Sequence, residues 1–402
     1  MRLVIDLQGA QTPGSRHRGI GRYSSALART MARNDRGHEL LLALNGSFGE
    51  SIDAIRSEFA ALLPREQIRV WTPTTPAARV EPSNAWRADV SEVVREAFLQ
   101  TLKPDVVHVA SLFEGLTDDG VASVGRFTSE LPTAATLYDL IPLVHRDIYL
   151  SDPRVALWYE SKLGHLRRAE LLLSISESSR REAIDLLGLP CDQVVNISTA
   201  ADPQFMPVAV PPPQERALRE RYGLRQPFLM YTGGIDHRKN IDGLIKAYAR
   251  LPGPLRARHQ LAIVCSIDDK WRHRLQTLAG HQGLAQDEVV FTGFVPEADL
   301  VALYNLCHAF VFPSWHEGFG LPALEAMSCG AAVIASNTSS LPEVVGRADA
   351  LFDPRSEEDM ARLMHEVLEN DTFRAALQDH AQEQARQFSW EACADRALDA
   401  LE

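Results

Sequence analysis

Two glutamates separated by seven residues flank a glycine-rich stretch in the second half of the chain. Glu317 opens the stretch, and Glu325 lies about one turn into a helix predicted at 322–329, because Pro322 suits a first helical turn and Gly330 suits the residue after a helix end. Free N–H groups at the start of this helix can bind phosphate or sugar oxygens. Carboxylates accept hydrogen bonds from hydroxyls, so two of them suit a sugar and a ribose. For Glu325, favourable charge at a helix N-terminus is an alternative explanation. The backbone groups that would line such a ligand belong to Gly318, Phe319, Gly320 and Leu321.

A glycine pair and a basic pair follow the strand predicted at 227–232. Gly233 and Gly234 allow close approach of the backbone to a ligand, and Arg238 and Lys239 could hold a diphosphate. The carboxyl end of a parallel strand is where open α/β sheets bind ligands. A solvated charged loop is the alternative explanation.

A glycine turn also follows the first predicted strand. Gly19 and Gly21 lie near the predicted start of a helix, flanked by Arg18 and Arg22. Glycines between a strand and a helix N-terminus let the backbone approach an anion or a sugar. A tight turn without a ligand explains them equally well.

Short apolar runs alternate with longer amphipathic stretches, which predicts an α/β chain with parallel sheets covered on both faces. Five prolines within 203–213 interrupt the series and predict a linker between domains at 1–202 and 203–387. A last helix is expected at 391–401, with Ser389 as its N-cap. The predicted strands are 2–6, 38–44, 105–109, 133–138, 171–175, 193–197, 227–232, 260–265, 288–292, 308–312 and 331–335.

The amino-acid composition indicates which kinds of partner and which cellular compartment to expect. A formal net charge of −12 over 402 residues argues against nucleic acid as the main partner, because phosphate binding needs a surplus of Lys and Arg. Five scattered cysteines without a Cys-x-x-Cys pair indicate a reducing compartment. The first residues resemble a strand rather than a signal peptide, and no apolar run approaches the ~20 residues of a membrane span.

We therefore expect a cytoplasmic protein, with peripheral membrane contact as an open alternative. Basic residues in 162–168 and 180–181 could face a membrane surface, although a solvated helix face explains them as well.

The stretch EGFGLPALEAM, from Glu317 to Met327, resembles the signature of the retaining glycosyltransferases of family 4. The resemblance implies the GT-B fold, with two facing Rossmann-like domains. The donor nucleotide sugar would bind the second domain and the acceptor mainly the first. The last helix, within 388–402, would return to the first domain. Similar segments along the chain are RGIGRY, YDLIPL, SISESS, GGIDHRKN, FTGFV and the terminal FSW.

The resemblance also implies roles for the residues singled out above. Glu317 would bind hydroxyls of the donor sugar, and Glu325 would bind the ribose. Lys239 and Arg238 would stabilise the diphosphate leaving group, and Val295 would contact the base. The backbone of 318–321 would hold the sugar and phosphate, and the Gly19–Gly21 turn would approach the diphosphate.

The sequence departs from the family pattern at two positions. Many members have Gly-Arg where this chain has Gly233-Gly234, so Arg238 could supply the missing charge. Many members have His-Asp where this chain has Tyr138-Asp139, which makes Asp139 a candidate catalytic residue. Capping of a nearby N–H is the alternative role for Asp139.

The sequence contains no Asp-x-Asp, the usual metal–diphosphate motif of the other glycosyltransferase fold. We therefore expect no metal and no cofactor besides the donor, with Lys239 and Arg238 supplying the charge at the leaving group.

The RGIGRY and YDLIPL segments look like those of bacterial enzymes that build surface polysaccharides from GDP-sugars. This favours GDP-mannose as donor and a glycan or lipid-linked glycan as acceptor, as in O-antigen synthesis. The alternatives are a UDP-sugar donor, a GT-B epimerase or phosphorylase, and a catalytically silent glycan-assembly subunit. A phosphorylase would release a sugar phosphate, and a silent subunit would usually lack Glu317 or Lys239.

Overall fold

The computed structural model describes residues 1–34 and 36–402. Its strands are β1 (Arg2–Asp6), β2 (Glu39–Asn45), β3 (Ile68–Trp71), β4 (Val106–Val109), β5 (Thr133–Leu137), β6 (Leu171–Ser174), β7 (Val194–Asn196), β8 (Phe228–Thr232), β9 (Gln260–Val264), β10 (Val289–Phe291), β11 (Ala309–Phe312), β12 (Val333–Ser336) and β13 (Leu351–Phe352). Its helices are α1 (Gly19–Arg33), α2 (Gly49–Phe59), α3 (Ala85–Thr101), α4 (Ile141–Val144), α5 (Arg146–Tyr149), α6 (Pro153–Arg168), α7 (Glu177–Leu187), α8 (Pro212–Tyr222), α9 (Ile241–Ala249), α10 (Gly253–Arg256), α11 (Asp269–His281), α12 (Glu297–Leu306), α13 (Leu321–Ser328), α14 (Leu341–Val345), α15 (Glu357–Glu369), α16 (Asp371–Ala385) and α17 (Trp390–Leu401).

The described residues form two compact units, of which the first comprises Met1–Thr199 and Ser389–Glu402. Its sheet is parallel and has the order β3-β2-β1-β4-β5-β6-β7. The inner strands are apolar and buried along most of their length, as in sheets covered on both faces. The strand order reverses between β1 and β4, and open α/β sheets bind ligands at the carboxyl ends of the strands at such a point.

The last helix is part of this first unit. The Ser389 side chain accepts a hydrogen bond from the Ala392 N–H at 3.1 Å, which caps α17 as the sequence predicts. The Trp390 ring meets the Tyr23 ring of α1 edge-on, with centroids 5.3 Å apart. α17 therefore packs on α1 through its first turn.

The second unit comprises Ala200–Phe388 and contains a parallel sheet of order β10-β9-β8-β11-β12-β13. Its strand order reverses between β8 and β11. The predicted α/β class with two parallel sheets is confirmed.

The structure adds elements that the apolar pattern does not show. β3 and β13 were not predicted, and both lie at the edge of their sheet. The polar residues 357–385 form two helices, α15 and α16, because Asn370 ends the first and caps the second by accepting from the Phe373 N–H. Pro212 begins α8 at the end of the predicted linker.

The basic stretch at 162–168 does not form a continuous cationic surface. Lys162 and His165 are buried, and Lys162 Nζ donates to the Ala122 carbonyl at 2.5 Å. The expectation that these two residues could face a membrane is therefore wrong, since α6 turns them toward the protein interior. None of the helices within residues 1–34 and 36–402 has the length and apolar character needed to cross a membrane.

Candidate active site

The loops after β8 and β11 meet where the strand order of the second unit reverses. The β8 loop forms a single 3-10 turn at His237–Lys239, which begins at Asp236 because that side chain accepts from the Arg238 N–H at 3.1 Å. The Trp315 N–H donates to the Arg238 carbonyl at 2.8 Å and joins the two loops. This junction positions the predicted basic pair beside the predicted acid.

Glu317 accepts hydrogen bonds from both members of the basic pair. Lys239 Nζ donates to Oε1 at 2.6 Å, and Arg238 Nη1 donates to Oε2 at 2.7 Å. Arg238 Nη1 also donates to the His316 carbonyl at 2.8 Å. Glu317 and Lys239 are only 6% and 8% exposed, so little water screens their attraction. The structure thus brings together Arg238, Lys239 and Glu317, which we call the ionic triplet.

Electrostatics keep the triplet charged despite its burial. Burial would raise the pKa of Glu317, but Lys239 and Arg238 outweigh it and lower that pKa to about 2. Burial lowers the pKa of Lys239, and the charge of Glu317 opposes that change. With Lys239 protonated, two cations face the Glu317 carboxylate, and a second carboxylate, that of Asp236, lies 3.8 Å from Arg238 Nε. Lys239 and Arg238 are the cations of this loop that could face an anionic ligand.

Asn240 holds the β8 loop in place, and sequence reasoning missed it. Its backbone is left-handed, with φ of 56°, a conformation that Asn tolerates better than most residues. Its buried side chain donates from Nδ2 to the carbonyls of Pro313 at 3.1 Å and Pro354 at 2.9 Å. Asn240 therefore ties the β8 loop to the β11 loop through Pro313 and to the loop after β13 through Pro354.

Two serines hold the backbone around Glu317. The Glu317 N–H donates to Ser339 Oγ at 2.9 Å, so this N–H is occupied by the protein. Ser340 Oγ makes hydrogen bonds to the carbonyls of Glu317 and Phe319 at 3.0 and 2.7 Å. No feature of the sequence pattern indicates this support, because the serines lie more than twenty residues away.

α13 begins one residue earlier than predicted, directly after Gly320. Gly320 is left-handed, with φ of 105°, and a Cβ there would lie 2.6 Å from Leu341 Cδ2. Within α13, Glu325 is buried, and its Oε2 accepts from Tyr304 Oη at 3.0 Å. Of the predicted backbone ligands, Gly318, Phe319 and Gly320 are buried and Leu321 is half-buried.

The other predicted donor residues of the second unit lie in two places. Gly233 and Gly234 follow β8, and the Gly234 carbonyl accepts from Tyr231 Oη at 2.7 Å. Val295 follows β10, two strands from β8 in the sheet order, and is half-buried beside Phe294, which is 76% exposed. The glycine pair therefore lies at the start of the β8 loop. Val295 lies at the same carboxyl edge of the sheet, two strands away.

The predicted glycine turn belongs to the first unit. α1 begins at Gly19, and a Cβ on Gly21 would lie 2.5 Å from both the Arg16 Cα and the Ser15 carbonyl oxygen. Gly21 is thus needed for the close backbone approach within the turn, whether or not a ligand binds.

Asp139 follows β5 in the first unit. Its Oδ1 accepts from the Ile141 N–H at 3.0 Å, which is the capping role kept open above. The neighbouring Tyr138, in place of the usual His, donates from Oη to the Ala110 carbonyl at 3.0 Å and lies 3.0 Å from Ser24 Oγ. Tyr138 therefore ties the ends of β4 and β5 to α1.

Within residues 1–34 and 36–402, no group of three or more His, Cys, Asp or Glu side chains is arranged to hold a metal ion.

Comparison with known proteins identifies relatives of both units. The family model described as Glycosyltransferase Family 4 matches residues 17–205, and the one described as Glycosyl transferases group 1 matches residues 215–387. The Escherichia coli serotype-specific mannosyltransferase WbdA is 36% identical over 99% of this chain and 48% of the relative. The E. coli O-antigen chain mannosyltransferase B is 35% identical over 67% of this chain and 70% of the relative. The chain spans about half the length of the WbdA relatives.

Solved structures share the fold over the full length. HepE from Anabaena, solved with UDP and glucose, has a TM-score of 0.68 and 17% identity, covering 100% of this chain and 98% of that one. WaaG, a glycosyltransferase involved in lipopolysaccharide biosynthesis, has a TM-score of 0.66 and 16% identity, covering 99% of each chain. With both family models matched and an O-antigen mannosyltransferase matched over most of its length, the chain belongs to the group 1 and family 4 glycosyltransferases with the GT-B fold.

Proposed function

We propose that the chain is a retaining mannosyltransferase that moves mannose from GDP-mannose to a growing lipid-linked glycan in the synthesis of a bacterial surface polysaccharide. The observation that carries the proposal is the ionic triplet at the carboxyl ends of β8 and β11, in which Glu317 and Lys239 are buried and Arg238 is half-buried. The names of the E. coli relatives favour mannose as the sugar.

The triplet suits the departure of a nucleoside diphosphate. When the bond between the sugar C1 and the diphosphate oxygen breaks, negative charge develops on that oxygen. Lys239 and Arg238 would stabilise this charge, and Glu317 holds both cations in place through short hydrogen bonds. Each Glu317 oxygen has a second lone pair, which could accept from a donor-sugar hydroxyl.

The same residues make a metal unnecessary in the proposed reaction. Two preorganised cations, one buried and one half-buried, can stabilise the leaving group as a bound divalent ion does in other enzymes. For retention, we propose front-face attack, in which a phosphate oxygen takes the proton of the acceptor hydroxyl while the new glycosidic bond forms on the face that the diphosphate leaves.

The test combines binding and turnover. Thermal shifts of the chain with GDP, UDP, ADP and dTDP should show selective stabilisation by GDP. Incubation with GDP-mannose and a mannose-terminated lipid-linked acceptor should give a product whose new linkage has the donor's anomeric configuration by NMR. Selective stabilisation by UDP would overturn the donor. Release of mannose 1-phosphate from the mannose-terminated acceptor, only when inorganic phosphate is supplied, would indicate a phosphorylase.

Turnover in EDTA tests the metal-free proposal separately. The rate with GDP-mannose should be unchanged after EDTA treatment, because the triplet supplies the charge. Loss of activity in EDTA that Mg²⁺ or Mn²⁺ restores would contradict this part of the proposal and leave the donor assignment standing.

A further inference from the structure

A second buried glutamate occupies the reversal point of the other sheet. Glu114, 5% exposed, lies in the loop after β4 and accepts hydrogen bonds from three hydroxyls. Thr12 Oγ1 donates at 2.8 Å, Ser15 Oγ at 2.7 Å and Ser111 Oγ at 2.7 Å. Because Thr12 and Ser15 follow β1, Glu114 joins the two loops that flank the reversal.

Ser15 transmits this contact to the glycine turn. Its carbonyl accepts from the Gly21 N–H at 3.1 Å and from the Arg18 N–H at 2.9 Å. The same oxygen would lie 2.5 Å from a Cβ on Gly21, so turn and loop are in close contact. A continuous path of hydrogen bonds and covalent bonds therefore runs from Glu114 through Ser15 to the first turn of α1.

The arrangement parallels that of Glu317 but has different chemistry. In each unit a buried glutamate after one strand at the reversal point contacts the loop after the other strand. Glu317 contacts two cations, whereas Glu114 contacts neutral hydroxyls. Glu114 therefore holds no cation that could stabilise a leaving group. Its hydrogen bonds can only fix the positions of the residues that bear the hydroxyls.

Stability alone does not explain a carboxylate at this place. Burial raises the pKa of Glu114 despite its three hydroxyl donors, so ionising it in the folded protein has a cost. Replacing buried charged groups together with their partners by well-packed apolar residues is often neutral or stabilising. What the carboxylate adds is a fixed geometry for three hydroxyls from two loops.

We propose that Glu114 is a positioning residue for the transfer reaction, which through Ser15 holds the Gly19–Gly21 turn in the conformation that engages substrate. The inference rests on the proposed function and on the role that the family resemblance implies for the turn, which is approach to the donor diphosphate.

Two variants distinguish the hydrogen-bonding geometry of the Glu114 side chain from its charge. In Glu114→Gln, the amide oxygen can accept from Ser15 and Ser111 as Oε1 does, and the amide nitrogen can donate to Thr12 Oγ1. This variant should retain donor KM within about threefold of wild type. Glu114→Ala removes all three contacts and should raise donor KM at least ~10-fold, since hydrogen bonds to charged groups are worth that much in an equilibrium.

Glu96→Ala is the matched control. Glu96 is 2% exposed and also accepts three hydrogen bonds, from Ser123 Oγ and the N–H groups of Arg126 and Phe127. These contacts hold the 123–127 segment rather than the glycine turn. Both alanine variants should lose stability, but only Glu114→Ala should raise donor KM. Equal KM effects in the two variants would overturn the inference.

Hydrogen–deuterium exchange of the full chain provides a readout that needs no activity. Amides within 15–22 should exchange at least ~10-fold faster in Glu114→Ala than in wild type, and at the wild-type rate in Glu96→Ala. If Glu114→Ala does not fold, Ser15→Ala removes one contact and should speed exchange in the same segment. Unchanged exchange overturns the inference even if the chain transfers mannose. Faster exchange without transfer from GDP-mannose overturns the proposed function and leaves only the structural link between Glu114 and the turn.

Discussion

At Glu317, burial and two neighbouring cations have opposite effects on the pKa of the carboxyl group, and their balance sets its charge. Burial favours the neutral acid, and the adjacent Lys239 and Arg238 favour the ion strongly enough to bring the pKa to about 2. The carboxylate therefore stays charged at any pH where the enzyme would work. Its role in the apo protein is to hold two cations that would otherwise repel each other.

Lys239→Ala should lower kcat with GDP-mannose at least ~10²-fold, because it removes half of the positive charge proposed to face the leaving group. Donor KM should change less, since Arg238 still contacts Glu317. Steady-state kinetics on folded variant protein, checked by circular dichroism, measure the effect.

Lys246→Ala is the control for that variant. Lys246 belongs to the same unit, is more exposed, and pairs with Glu357 at 3.5 Å on the surface. Its removal should leave kcat unchanged. A Lys239→Ala enzyme with near-wild-type kcat would contradict the assignment of the triplet.

The pH profile should show which charge the reaction needs. Burial lowers the pKa of Lys239, so kcat/KM should fall as rising pH removes its proton. Glu317, with its pKa of about 2, should give no acid limb near the usual carboxyl range. In Lys239→Arg the alkaline limb should move to higher pH, because a guanidinium keeps its proton. An unmoved limb would mean that another group titrates.

At the scale of elements, α13 depends on a glycine before its first residue. Gly320→Ala should destabilise the protein by roughly 1–3 kcal/mol, because φ is 105° and the new Cβ would meet Leu341 Cδ2 at 2.6 Å. Thermal unfolding measures the change.

Gly280→Ala, in α11, is the matched substitution. A Cβ at Gly280 meets nothing within 4 Å, so this variant should be neutral or stabilised by up to ~1 kcal/mol. Equal melting temperatures in the two variants would contradict the strain assigned to position 320.

The sequence predicts a strand well where the strand itself contains an apolar run. β1 contains the buried apolar residues 3–5, β11 is buried and apolar throughout, and both were placed within one residue of their ends. β3 contains the exposed Arg69, and β13 has two residues, so neither has an apolar run of its own. Such edge strands depend on pairing with β2 and β12, which no local pattern encodes.

For the site, too, residues in a local motif can be singled out from the sequence, and residues whose contacts depend on the fold cannot. Glu317 and Lys239 could be singled out as candidates because each lies in a local motif and the carboxyl ends of neighbouring parallel strands meet. The structure brings the two side chains together, and their roles in the reaction stay predictions. Asn240 ties the β8 loop to Pro354, 114 positions away, Ser340 supports Glu317 from another loop, and Glu114 accepts from Thr12 across 102 positions of sequence. Contacts that depend on which loops meet cannot be inferred without the fold.

At the scale of the whole molecule, both units contain histidines that the fold keeps neutral. Burial is the main cause in each case. It lowers the pKa of His108 to about 4 and that of His165 to about 3 in the first unit, and that of His308 to about 4 in the second. In the unfolded chain these groups titrate near 6.5. Between about pH 6.5 and 4, the unfolded state therefore binds more protons, and stability falls as the pH is lowered.

Acidification should accordingly destabilise both units, and His108 offers the cleanest test. A folded pKa of about 4 against about 6.5 unfolded gives a loss of about 2 kcal/mol between pH 7.5 and pH 5 from His108 alone. Its Nε2 lies 2.8 Å from Thr136 Oγ1, so the pair His108→Leu with Thr136→Val removes both hydrogen-bonding partners together and leaves none unpaired. In urea unfolding, the loss of stability between pH 7.5 and pH 5 should be about 2 kcal/mol smaller in this double variant than in wild type.

His273→Gln, at an exposed position of α11, should keep the wild-type pH dependence. The same slope in all three proteins would mean that the acid sensitivity arises elsewhere, in the surface carboxylates that give the chain its net charge of −12.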